Sequence, residues 1–570
     1  MDVSKQQSLA VGDMGNIHIV AIPGSGKTRT IIAKVKVMRE RGYSKIFLVT
    51  YTNASAAEMK ERLIAECGAD VLNEVHVSTF HALMIRHFQQ YLPQYQLMPP
   101  EEQSTILHQI YVRETKSHEG YDGFEEYILG NSKNQIPEFE CLKEIYLTYI
   151  DSKHNHTLDN IISSGVSMML KGELPRFNCN YLMVDEFQDV DEDQVKLVFI
   201  HGKMNVPITT VGDDDQSIYG WRNALGYKGF VLQEKVLKST LYKLTTNYRS
   251  RLEILTAAFN MIENNLSRIP KDVIGSRGEG GVIEHHHFHD RLEEAKWIAK
   301  QISTSPHVPT LILARTNNNL NYVEMELIEY EIPYNKKDSG QYFNVIACKL
   351  YISALRAMAT NSEHGMQRIL DIIFESYGQT IPSDVVLKQS KLFDVQLSPQ
   401  QKSLINALCN SYQLHKAGRT SDCIRELSES MRVEMEFMGY KLTQRITELG
   451  SYLNKFKGNL SQRLTLMSQK NKEKEANVTL MTMHSAKGLE RERIYITNFS
   501  NRIIPSTRTD GNTSKLAHIE EERRLAFVAI TRGKEEVYIT SCQNSDSRKG
   551  WFGPSEFIQE LGEIPSSDHT

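Results

Sequence analysis

Ile17–Thr28 reads IHIVAIPGSGKT, and the fold turns on this stretch. Ile17–Ala21 is an apolar segment of strand length, the loop Ile22–Thr28 follows, and a helical pattern runs from Arg29 to Arg41. Within it Ala21, Ile22, Pro23, Gly24, Ser25, Gly26, Lys27 and Thr28 fit a phosphate loop, except that Ala21 takes the place of the leading glycine. Gly24 and Gly26 let backbone N–H groups curl round a β-phosphate. Lys27 reaches the β- and γ-oxygens, and Thr28 can ligate Mg2+ at a helix N-terminus, with Arg29 closing the candidate nucleotide-binding stretch. A glycine-rich turn that merely caps a helix would share the glycines; the strand before it and the helix after it favour the phosphate loop.

Working outward, the same alternation continues. Lys45–Tyr51 reads as a second strand, Ala54–Cys67 as a helix, and Tyr181–Asp185 and Pro207–Gly212 as further strands. Strands separated by helices imply a parallel sheet covered on both faces. Strand patterns return at Val282–Phe288, Thr310–Ala314, Val478–Met483, Arg493–Phe499 and Glu536–Ser541. Gln89–Arg176 and Cys348–Ala476 are instead mainly helical. The reading is an α/β chain with two parallel-sheet cores, each carrying a mainly helical insertion. The expected boundaries are 1–88 and 177–246 for the first core around an insertion at 89–176, and 247–347 and 477–570 for the second around 348–476. The polar tail Gly562–Thr570 is expected to fray.

Three further clusters carry chemistry. VDEFQD (184–189) follows a strand; Asp185 is placed to hold Mg2+ as a Walker B carboxylate, and Glu186 to act as general base on an attacking water. GDDDQSIYGWR (212–222) puts Gln216 where it can touch a phosphate-bearing ligand and Trp221 where it can touch a flat aromatic partner. Such a loop links the state of one ligand to the grip on another. In-line phosphoryl transfer also needs positive charge, for which Arg249 in TNYRS (246–250) and Arg532 in AITRGK (529–534) are candidates. Both are expected in the second core or at its border.

Composition bounds the partners. The 570 residues are 40% hydrophobic and 24% charged with a formal charge of −4, as in an ordinary globular protein. Nucleic-acid binding must therefore come from a local groove and from stacking rather than an overall positive field. The seven cysteines form no CxxC pair and read as reduced structural thiols. With no signal peptide and no run long enough to cross a bilayer, the expectation is a cytoplasmic protein without membrane contact. Alternation places His285, His287 and His289 of HHHFH on one strand face, where a structural metal is the less favoured reading. The run 468–475 reads as a solvated connector.

The ordered set resembles the UvrD/Rep/PcrA group of superfamily 1 DNA helicases, in a compact variant. It comprises ValSerLysGlnGln (3–7), AIPGSGKT, LVTYTNASAAEMKERL (48–63), STFHA (78–82), VDEFQD, GDDDQSIYGWRNA (212–224), TNYRS, LARTN (313–317), IPY (332–334), TLMTMHSAKGLE (479–490) and EERRLAFVAITRGK (521–534). The resemblance implies two RecA-like motor cores, ATP and Mg2+ as cofactors, and 3′→5′ movement on single-stranded DNA or single-strand/duplex junctions, in repair, recombination or anti-phage defence. It implies adenine reading by Gln7, base stacking by Tyr248, a ribose contact by Glu490, γ-phosphate sensing by Gln216, and arginine fingers at Arg249 and Arg532. On the DNA side it implies Tyr51, Thr52, Asn53, Thr79, Phe80, His81, Tyr219, Trp221, Arg222, Asn317, His484 and Lys487. Core packing is the alternative for Tyr51 and Phe80.

Departures are Ala54 where the family has lysine, Arg491 and Glu492 in place of Phe-Pro, and Gly533 in place of alanine. In the second insertion the family's glycine-rich duplex-binding signature is matched only by SerTyrGlyGlnThr (376–380). With a short stretch after Arg532, the expectation is that any nuclease is a separate partner. The rival expectation is an ATP-controlled DNA-end sensor that switches such a nuclease without processive unwinding.

Overall fold

The computed structural model describes residues 3–98, 100–116, 121–128, 137–152, 155–337, 346–374, 381–390, 397–437, 443–469, 476–507, 514–544 and 552–569. The chain forms two compact units. One comprises Met1–Glu284, Asn501–Val537 and Ser555–Pro565; the other comprises His285–Ser500, Tyr538–Pro554 and Ser566–Thr570.

In the first unit β1 (Ile17–Ala21), β2 (Ile46–Thr50), β3 (Val75–Thr79), β4 (Tyr181–Val184), β5 (Ile208–Gly212) and β6 (Thr240–Leu244) form one sheet, in the order β3-β2-β4-β5-β1-β6. All neighbouring pairs are parallel. Strands β1, β4 and β5 are buried along their whole length, as a sheet with helices on both faces requires. One layer packs Ile17, Ile19, Ile31, Ile32, Val35, Leu48 and Leu63, and the other packs Val20, Val49, Leu83, Leu182, Val198 and Phe230. The helical insertion after Tyr91 has a small core of its own around Leu107, Phe124 and Tyr146.

A second sheet, lying mostly in the second unit, has β7 (Val282–Asp290), β8 (Thr310–Ala314), β9 (Tyr334–Lys336), β10 (Val478–Thr482), β11 (Arg491–Ile496), β12 (Gly533–Asn544) and β13 (Ser566–Asp568) in the order β9-β10-β8-β11-β12-β7-β13. The insertion of the second unit is a helical cluster centred on Tyr351, Leu355, Leu408, Leu427 and Leu449. The candidate duplex-binding segment 376–380 lies outside the described residues, as does 470–475 of the expected connector.

The tail corrects one expectation. Ser566–Asp568 does not fray but pairs in parallel with His285–His287, and His569 stacks on Phe288 with ring centroids 4.7 Å apart. The histidine run is consumed by the same contacts. His285 bonds Ser566 Oγ at 3.0 Å and Ser541 Oγ at 2.8 Å, and His287 shares Ser541 Oγ at 2.8 Å. Burial holds the His285 imidazole down at about 4, with His287 and His286 adding to the effect. The His285 and His287 imidazoles are thus satisfied and neutral, His285 in the core and His287 half-buried, while His289 is exposed.

Candidate functional site

In the first unit every strand of the sheet ends at a candidate residue, because ligands of open parallel sheets meet the carboxyl ends of the strands. After β1 comes the phosphate loop, after β2 Tyr51–Asn53, after β3 Phe80 and His81, after β4 Asp185 and Glu186, after β5 the 213–222 loop, and after β6 Tyr248 and Arg249.

The phosphate loop is held by backbone pairing and by one asparagine. Ile22 N donates to Leu244 O at 3.1 Å, and Tyr248 N to Gly24 O at 2.9 Å. Asn247, fully buried, donates its amide to Pro23 O at 2.7 Å, while its Oδ1 accepts Arg249 N and Ser250 N at 2.9 and 2.8 Å. Gly24 and Gly26 have φ of 69° and 83°. A Cβ on Gly24 would fall 2.6 Å from Arg249 Cβ, and one on Gly26 would fall 2.8 Å from Gln7 Nε2. Only glycine tolerates both the backbone and the approach. Gly26 is the N-cap of the helix Lys27–Glu40 and supplies no side-chain cap, so the start of that helix suits an anion. Thr28 is half-buried at this end and Arg29 is exposed.

Gln7 is buried, and its amide is engaged at both ends: Nε2 donates to Ser25 O at 3.1 Å and Oε1 accepts Ser4 N at 2.9 Å. It braces the phosphate loop. Tyr248, 48% exposed, presents its ring beside that loop.

Lys27 Nζ lies 3.9 Å from Glu186 Oε2. Burial raises the Asp185 carboxyl, the Glu186 carboxylate raises it further, and Lys27 opposes both. Two adjacent carboxylates against one lysine, with the Thr28 hydroxyl in the phosphate loop, form a hard oxygen donor set of the kind Mg2+ takes. Glu186 stands in the left-handed region at φ 53°, a conformation that costs a non-glycine residue energy and clusters at functional sites. Gln188, fully buried, donates Nε2 to Glu186 Oε2, and its Oε1 accepts Asp213 N at 2.9 Å. It joins the carboxylate pair to the 213–222 loop.

Arg249 and Arg532 fall in the first unit together with the phosphate loop. Arg249 Nη1 donates to Thr531 O at 3.3 Å and Ser250 Oγ to Gly533 O at 2.6 Å. Arg532 is 1% exposed; its Nε donates to Val528 O at 2.8 Å and its Nη2 to Gln216 Oε1 at 3.3 Å. Gln216 in turn donates Nε2 to Asp213 Oδ2 at 2.5 Å.

The three aspartates of this loop could ligate a metal by proximity, but Lys271 occupies that role. Its buried ammonium lies 3.2, 2.7 and 2.6 Å from Asp213, Asp214 and Asp215, and Arg268 forks onto Asp215 at 3.0 and 2.8 Å. Burial raises Asp214; for Asp215 the effect of burial is outweighed by Lys271 and Arg268, and its carboxyl is lowered.

Beyond this loop a groove of about 820 Å³ is lined by Tyr51, Thr52, Asn53, Thr79, Phe80, His81, Trp221 and Arg222. Tyr51 stacks on Tyr219 at 5.8 Å, and the Arg222 guanidinium lies 4.4 Å from the centre of the Trp221 ring. Trp221 is 44% exposed. Thr52 and Thr79 cap helices, accepting Ser55 N and Ala82 N through their hydroxyls. Phe80 belongs to the core, 4% exposed among Val49, Leu83 and Val184, so its ring packs inward beneath the groove.

A family model for the UvrD/REP helicase N-terminal domain matches residues 2–228, and one for the UvrD-like helicase C-terminal domain matches residues 242–399 and 396–544. The chain belongs to the UvrD/Rep helicase family. It is 26% identical to the ATP-dependent DNA helicase Rep of Buchnera aphidicola subsp. Acyrthosiphon pisum, over 96% of each chain. It is 27% identical to the DNA helicase II of Haemophilus influenzae, over 98% of this chain and 86% of that one. With the ATP-dependent DNA helicase PcrA of Staphylococcus epidermidis the identity is 26%, over 100% and 87%.

The remaining candidates of this UvrD-like helicase lie in its second unit. Ala314 pairs with Thr482 across β8 and β10, so the turn that begins at Asn317 and the turn His484–Ala486 follow adjacent strand ends. Burial, then Arg315 and Lys487, push the His484 imidazole down to about 3, leaving it neutral. Glu490 immediately precedes β11, which begins at Arg491, earlier than the sequence pattern indicates. Sequence reading singled out neither Asn247 nor Gln188, although both stand inside quoted motifs; Lys271 stands outside them all.

Proposed function

We propose that this helicase couples ATP hydrolysis to 3′→5′ movement on single-stranded DNA. The observation that carries the reading is the 213–222 loop: Gln216 is hydrogen-bonded to Arg532 near the phosphate loop, and Trp221 stands exposed in the groove. The phosphate loop and Lys27 hold the β- and γ-phosphates, and Tyr248 offers its ring to the base. Thr28 and Asp185 would hold Mg2+, which supplies charge neutralisation of the phosphate oxygens when bound. A Glu186 carboxylate oxygen accepts the proton of the attacking water as its oxygen bonds to the γ-phosphorus and the bond to the β-bridging oxygen breaks. Arg249 and Arg532 stabilise the charge that develops, a contribution of about 10³–10⁵ for an arginine finger. Gln7, with its amide engaged by Ser25 O and Ser4 N, braces the phosphate loop in this scheme.

Tyr51, Tyr219 and Trp221 supply sequence-tolerant stacking surface, and the helix N-termini at Asn53 and Phe80 favour phosphates. On the family resemblance, Asn317, His484 and Lys487 are assigned to DNA contacts and Glu490 to a ribose contact. Trp221→Ala is expected to weaken oligo-dT binding roughly 5- to 160-fold, the loss of one stacking contact worth about 1–3 kcal/mol. Fluorescence anisotropy beside DNA-stimulated ATPase checks it, with hydrolysis in the absence of DNA as the control. Equal collapse of basal and stimulated hydrolysis would make Trp221 a structural residue instead.

A further inference from the structure

The helix Lys515–Ile530, capped by Ser514, holds the 213–222 loop at more than the Gln216 contact. Glu521 Oε1 accepts Gly220 N at 2.9 Å. One turn further, Arg524 donates Nε to Ser217 O at 3.0 Å; residues three apart share a helix face. Just past the helix, Arg532 holds Gln216. One rigid element therefore grips the loop at Gln216, Ser217 and Gly220, all within the first unit.

The Glu521 contact is not an ordinary surface hydrogen bond. The carboxylate is half-buried, and an ionised acceptor makes the stronger kind of hydrogen bond. The two groups are close: a Cβ on Gly220 would fall 2.6 Å from Glu521 Oε2, so a side chain there displaces the carboxylate or the turn. Gly220 opens the short turn Gly220–Arg222, closed by Asn223 N donating to Gly220 O at 2.9 Å. Trp221 is the middle residue of that turn. A group that fixes Gly220 therefore fixes the direction in which the indole faces the groove.

We propose that Glu521 is a positioning residue that orients Trp221 toward a nucleobase, and that the helix Lys515–Ile530 carries the Arg532–Gln216 contact to it. This rests on the reading of Trp221 as the base-stacking side chain. No bond is made or broken by Glu521; it acts through the backbone N–H of Gly220.

The test uses the full chain with Trp297→Phe and Trp551→Phe, which leaves Trp221 as the single tryptophan of the three. Glu521→Ala is expected to weaken oligo-dT binding about 10-fold, the factor for a lost charge-assisted hydrogen bond. It is also expected to red-shift Trp221 emission and to reduce its change on DNA addition. ATP hydrolysis without DNA stays within about twofold. Glu521→Gln keeps an acceptor oxygen and restores both emission and affinity, which a merely structural role would not require. Gly220→Ala, with the carboxylate intact, reproduces the Glu521→Ala emission by parting the carboxylate from the turn, and serves if Glu521→Ala fails to fold. Native emission and affinity in Glu521→Ala and Gly220→Ala, with Trp221→Ala impaired, would overturn the positioning role. Native affinity in Trp221→Ala would instead overturn the stacking reading beneath it.

Discussion

Glu186→Gln lowers ATP turnover by about 10²–10⁴-fold, the range for losing a general base, while ATP affinity stays within a few-fold of the native chain. The substitution keeps the shape of the side chain and an oxygen able to accept Gln188 Nε2, so the left-handed turn at φ 53° and the link to Asp213 survive. What disappears is the basic carboxylate. Lys27 keeps its place at the head of its helix, so phosphate binding persists and the loss falls on kcat rather than KM. Steady-state hydrolysis with binding of a non-hydrolysable ATP analogue checks the split. Near-native turnover would remove Glu186 as the base.

Lys271→Met is expected to cost about 3–5 kcal/mol of stability, the range for removing one partner of a buried ion pair. The ammonium is inaccessible and faces three carboxylates at 3.2, 2.7 and 2.6 Å. Without it Arg268 alone opposes the group. Asp214, whose carboxyl burial already raises and Lys271 holds back, then titrates further above its unfolded value. The folded variant binds protons more readily than the unfolded one, so its deficit narrows as pH falls through that raised value. Thermal unfolding at neutral and mildly acidic pH measures both effects. Unchanged unfolding would mean that the cluster carries no net stabilisation.

The parts of the fold that sequence made legible are those with local causes. Thr310–Ala314 and Ile17–Ala21 are strands with the expected bounds because a fully apolar or nearly apolar pentapeptide between turn residues has little alternative. The phosphate loop was legible because its glycines answer a local backbone demand. Contacts between residues far apart in the chain were not. Arg532 meets Gln216 across 316 positions, and Lys271 neutralises a loop more than fifty positions earlier from a segment without any motif. Thr52 and Thr79 are read from sequence as DNA contacts, whereas the structure shows their hydroxyls serving as helix caps. Phe80 opens a helix whose inner face is core, the alternative that the five-residue motif STFHA alone leaves open. The tail looked free because it is polar, whereas its backbone groups and Ser566 hydroxyl pair with β7.

Central to the account is that hydrolysis at the phosphate loop drives directional movement along a strand held in the groove. Duplexes carrying a 3′ or a 5′ single-stranded tail, incubated with the full chain, ATP and Mg2+, test this most directly. The account predicts ATP-dependent strand displacement from the 3′-tailed duplex and none from the 5′-tailed one. Displacement confined to the 5′-tailed duplex, or strong DNA-stimulated hydrolysis with displacement from neither, would contradict it.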